Sequence, residues 1–86
     1  MQAIETKFLG PTNTRGSRVK ATCWLKSITI EWDHSYNVED NHKRAIDTLV
    51  MSLNYDRKDE GGMAWKVVAM GESVDGKGKT AIIDLA

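Results

Sequence analysis

At 86 residues the chain is long enough for one domain and too short for two, and a domain of that size buries only about 60–65% of the surface its unfolded chain exposes. A composition of 41% hydrophobic and 28% charged residues excludes the profile of a disordered chain, and twelve basic residues against twelve acidic ones leave no net charge. The single cysteine, Cys23, excludes an intrachain disulfide and favours a reducing compartment, and no apolar run approaches the length of a bilayer span.

Met1–Lys7 lack the basic and apolar regions of a signal peptide, so a cytoplasmic protein is expected. Ile4, Thr6 and Phe8 alternate with Glu5, Lys7 and Leu9, which predicts a strand over 3–9 stopped by Gly10-Pro11. Residues 11–17 consist almost wholly of turn formers and read as a loop. Alternation then resumes, with Val19, Ala21, Cys23 and Leu25 on the core face and Lys20, Thr22, Trp24 and Lys26 on the other. A tight connection near Lys26-Ser27 leads to a third strand in which Ile28, Ile30 and Trp32 share a face.

Asn37 followed by Glu39 and Asp40 marks a helix start, because an Asn side chain caps free N–H groups and acids suit the positive end of the helix dipole. The helix is predicted over 38–53, with His42, Ala45, Ile46, Leu49, Val50 and Leu53 forming one apolar stripe. Glu39 with Lys43 and Asp40 with Arg44 are favourable i,i+4 pairs on its surface. Residues 54–62 read as a charged loop ending in Gly61-Gly62. Residues 65–70 and 80–85 read as strands flanking the turn-rich segment 75–79. The expected fold is a single α+β domain over 1–86, in the order βββαββ. It is a five-stranded antiparallel sheet with one helix packed on one face.

The segment Lys7-Phe8-Leu9-Gly10-Pro11-Thr12-Asn13-Thr14-Arg15-Gly16-Ser17-Arg18-Val19-Lys20-Ala21, with Ile28-Thr29-Ile30, His34 and Asn41-His42, resembles a group of small uncharacterised proteins encoded by bacterial phages, plasmids and other mobile elements. The resemblance covers roughly the first half of the chain. It implies an accessory protein in the cytoplasm of a bacterial host, of a kind that often interferes with host defences, for example as an anti-restriction or anti-CRISPR protein.

Charge divides along the chain. Lys7, Arg15, Arg18, Lys20 and Lys26 face only Glu5 in the first thirty residues, whereas acids outnumber bases over 31–60. The loop 13–18 combines hydroxyls, an amide and two guanidinium groups able to grip phosphate or carboxylate through paired hydrogen bonds. It has neither the Walker nor the dinucleotide-binding spacing. The partner-binding residues expected are Asn13, Arg15, Arg18, Lys20 and Trp24, the last placed by strand parity on the open sheet face between two lysines. Packing of Trp24 beside Trp65 or Trp32 is the alternative. Two sheet edges and an uncovered face predict that a partner or a second copy of the chain buries Trp24.

Cys23, His34 and His42 match no common zinc spacing, and a thiol on a core face is usually inert, so no catalytic residue, metal or cofactor is expected. The bases scattered among the acids of 31–60 argue against wholesale mimicry of DNA. The function expected is therefore protein–protein binding, with the host's defence machinery as partner. The rival reading is a nucleic-acid-binding module built on residues 13–20 and Trp24. No membrane association is expected.

Overall fold

A computed structural model describes residues 2–57, 64–72 and 78–85. The elements are β1 (Gln2–Leu9), β2 (Arg18–Thr22), β3 (Ser27–Glu31), α1 (Val38–Arg57), β4 (Trp65–Glu72) and β5 (Lys79–Leu85). The five strands form one antiparallel sheet in the order β3-β2-β1-β5-β4, with the helix packed on one face, so the α+β class and the βββαββ order are as expected. β5 returns to pair with β1, which makes the first strand the centre of the sheet.

The period-2 alternation does the sorting. Ile4, Val19, Ala21, Ala81 and Ile83 are fully buried on the helix side, where they meet Ala45, Ile46, Leu49 and Leu53. The opposite face carries Glu5, Lys7, Lys20, Thr22, Thr29 and Lys66, all exposed. Lys7 and Lys20 stand directly across from one another there, so this face is a polar, solvated surface.

The helix starts where expected, with the Asp40 N–H donating to Asn37 Oδ1 at 2.7 Å. It continues one turn beyond the expected end. The reason is Asn54, whose side chain accepts from the Trp65 N–H (2.6 Å) and donates to the Trp65 carbonyl (3.0 Å), pinning the last turn to the start of β4. Arg44, expected to pair with Asp40, instead donates to Asn41 Oδ1 (3.1 Å) and lies 5.1 Å from the centre of the Tyr36 ring. The Gly61-Gly62 turn and residues 75–77 of the expected final hairpin lie outside the described residues.

The second strand ends earlier than its alternation predicts. β2 stops at Thr22, and the chain reverses through Trp24-Leu25, closed by the Cys23 N–H to the Lys26 carbonyl at 3.0 Å. Parity is lost at a turn, so Leu25, expected in the core, is 62% exposed. Lys26, expected on the outer face, reaches the helix and donates to Ser52 Oγ at 2.6 Å. Cys23 is half-buried against the core, with its Sγ 3.4 Å from the Lys26 carbonyl. Cys23→Ala should cost about 1 kcal/mol, the scale of a modest core truncation, and leave partner binding intact. Unfolding midpoints and partner capture for Cys23→Ala and Cys23→Ser test this. A folded Cys23→Ala variant that captures nothing would assign the thiol a functional role.

Candidate functional site

The loop between β1 and β2 is ordered by its own hydrogen bonds. The Thr12 N–H donates to the Arg15 carbonyl (2.7 Å), while Thr12 Oγ1 accepts from the N–H groups of Arg15 (3.1 Å) and Thr14 (3.4 Å). Those two amides are thereby spent inside the turn, so they offer no backbone nest for an anion. The side chains are the available cationic groups. Among the described residues Arg18 uses only its Nε–H, on the Gly16 carbonyl at 3.3 Å, and the Arg15 guanidinium has no partner.

Residues 14–18 form one wall of an open groove of about 490 Å³. Thr29, Ile30, Glu31 and Trp32 form the other wall, and His34 closes one end. A second hollow shares Glu31, Trp32 and His34 and extends the surface to Ser35 and Arg44. Trp32 anchors this region to the core: its ring meets Phe8 edge-on at 5.0 Å and His42 at 5.8 Å. The Asp33 carboxylate accepts from the Ser35 hydroxyl (2.6 Å) and N–H (2.9 Å), which hold its pKa below the usual carboxylate range.

β3 is a terminal strand of the described sheet, and its parity is readable from its bonds. The Trp32 N–H donates to the Ser17 carbonyl, so the backbone groups of Ile28, Ile30 and Trp32 face β2 while those of Thr29, Glu31 and Asp33 face outward. At Asp33 the outward pair is already satisfied. Its N–H donates to Asn41 Oδ1 and its carbonyl accepts from Asn41 Nδ2, both at 2.9 Å, so one side-chain amide occupies the place a neighbouring strand's peptide group would take. The outward groups of Thr29 and Glu31 have no such partner among the described residues.

The five residues expected to bind a partner do not form one surface. Arg15 and Arg18 line the groove, and Asn13 sits exposed on the same loop. Lys20, two residues from Arg18 on β2, projects from the same sheet face and stands across from the groove residue Thr29. Trp24 is at the opposite end of the β2–β3 hairpin, 50% exposed, with its ring edge-on to Trp65 at 5.2 Å. Trp65 packs on the core, so Trp24 belongs to the helix side and not to the open face between lysines. Its packing beside Trp65 is the alternative the sequence left open. Leu25 next to it is also exposed, which leaves a small apolar tip at that end.

His42 is a packed histidine, as its place on the apolar stripe predicts. It is 2% exposed, its Nδ1 lies 2.6 Å from Thr6 Oγ1, and burial, reinforced by the Lys79 charge and opposed by Glu72, pushes its pKa below 6.5. Cys23 lies at one end of β3 and His34 beyond the other. Among the described residues, no three His, Cys, Asp or Glu side chains gather as a metal site, and no helix is long and apolar enough to cross a membrane.

Comparison with protein-family models, curated proteins and solved structures finds no match to this chain.

Proposed function

We propose that this protein acts by binding another protein, and that the groove between residues 14–18 and β3 is its contact surface. The observation that carries this reading is a cationic wall most of whose donors are unpaired among the described residues. The Arg15 guanidinium on the loop and that of Arg18 at the start of β2 stand beside β3, whose outer edge is unpaired among the described residues, while loop order comes from Thr12 and backbone bonds. The mobile-element resemblance of residues 7–21 supplies the context: the partner is a component of the host's defence machinery. The rival nucleic-acid reading combines the loop with Lys20 and Trp24; Lys20 shares the sheet face of Arg18, whereas Trp24 stands apart at the other end of the hairpin beside Trp65.

Capture of the tagged protein's partner from plasmid-bearing or phage-infected bacteria, with and without nuclease, tests the reading. A partner protein retained after nuclease treatment is the expected result, and a partner released by nuclease would overturn it. Arg15→Ala with Arg18→Ala should weaken capture by about ten-fold or more, on the scale of two lost charge-assisted contacts. The same double variant should shift stability by less than about 0.5 kcal/mol, because neither side chain braces another strand. A large fall in the unfolding midpoint would make the arginines structural.

A further inference from the structure

A strand edge is a template for pairing, and folds usually blunt it with bulges, charges or covering segments. The two edges here differ. β4 is interrupted by an irregularity between Val67 and Ala69 that leaves Val68 out of register, whereas β3 pairs with β2 without a break from Ser27 to Glu31. Beyond Glu31 the edge is closed by the Asn41 amide on Asp33, which marks where an added strand must stop. Between these limits the N–H and C=O groups of Thr29 and Glu31 point away from β2, and both residues also line the groove. Its other wall presents Arg15 and Arg18, and the carboxylate in the groove that opposes them is that of Glu31, across from Arg18.

Resting on the protein-binding reading above, we propose that β3 takes up an extended segment of the partner as an added sixth strand, and that Arg15 and Arg18 select a segment bearing acidic side chains. Backbone bonds to Thr29 and Glu31 supply sequence-independent affinity. The guanidinium groups supply the preference, since they can grip carboxylates at alternate positions of an extended chain.

The probes are a short peptide alternating threonine with glutamate, its counterpart with lysine for glutamate, the glutamate peptide N-methylated at alternate amides, and a single-stranded DNA oligonucleotide. Amide resonances of the whole protein report where each binds. The glutamate peptide should shift the Thr29 and Glu31 amides and bind about ten-fold more tightly than the lysine peptide, as expected for charge-assisted hydrogen bonds. Arg15→Ala with Arg18→Ala should erase that preference while leaving the Thr29 and Glu31 shifts.

Thr29→Pro removes an N–H that no other described strand uses, a substitution an edge strand tolerates, and should abolish binding. If that variant does not fold, loss of binding by the N-methylated peptide to the unaltered protein carries the same information. Binding that ignores N-methylation, equal affinity for the two charges, no shift at Thr29 and Glu31 up to the peptide's solubility, or displacement of the peptide by DNA would each overturn the proposal. A nuclease-resistant partner captured equally by Thr29→Pro would overturn strand addition alone and leave the protein-binding reading standing. Release of the partner by nuclease would remove that reading itself.

Discussion

Asn41→Leu should lower the stability of the fold by about 3 kcal/mol, the cost of stranding more than one polar group away from water. The residue is fully buried, and every part of its amide is engaged. Oδ1 accepts from the Asp33 N–H and from Arg44, and Nδ2 faces the carbonyls of Asp33 (2.9 Å), Asn37 (3.0 Å) and Tyr36 (3.3 Å). This one side chain therefore joins the end of β3, the 33–37 turn and the first turn of the helix. Leucine keeps the branching and the number of side-chain heavy atoms but is bulkier, so the loss comes from the hydrogen bonds and from crowding, not from a cavity. Asn41→Asp should be destabilising as well, because a carboxylate keeps the acceptor but sets a negative charge against three carbonyl oxygens. Urea unfolding of both variants, with an unchanged slope, measures the effect. A fall of less than about 1 kcal/mol would mean that water or a neighbour substitutes for the amide.

The second large effect centres on Thr6. Its hydroxyl accepts from the Lys79 N–H at 2.8 Å and lies 2.6 Å from His42 Nδ1 and 3.2 Å from the Lys79 carbonyl, linking β1, β5 and the helix at a buried point. Thr6→Val preserves the branched shape but leaves the Lys79 amide and His42 Nδ1 without this partner, which should cost about 2 kcal/mol at neutral pH. Acid should act on the same point through His42. Its folded-state pKa lies below 6.5 because burial disfavours the imidazolium, so between those values the unfolded chain binds more protons than the folded one. The contribution is complete above pH 6.5 and is lost as pH falls through the folded-state value. His42→Gln should flatten this limb of the stability profile, above the range where carboxylates titrate. An unchanged slope below pH 6.5 would place the acid sensitivity elsewhere.

Local pattern was enough for the architecture. The apolar positions of β1, β3 and α1 recur at the periods of strand and helix, and Gly10-Pro11 and Asn37 mark ends through their own backbone chemistry. The structure departs from pattern where no local signal existed. Trp24-Leu25 forms a reversal without Gly, Asn or Pro, so alternation runs on through it in the sequence and misplaces Trp24, Leu25 and Lys26. The extra helical turn depends on Asn54 meeting Trp65, eleven residues away.

The candidate site was half legible. Arg15 and Arg18 are conspicuous in a turn-rich loop, but Thr29, Glu31 and Trp32 become its second wall only because β3 is placed at the edge of the sheet. The sequence by itself determined which residues could be buried and which loop carried unspent charge, since both follow from side-chain chemistry and near-neighbour spacing. The tertiary structure alone decided strand order, the terminal place of β3 in the described sheet and the separation of Trp24 from the arginines, because these depend on pairings between residues far apart in the chain.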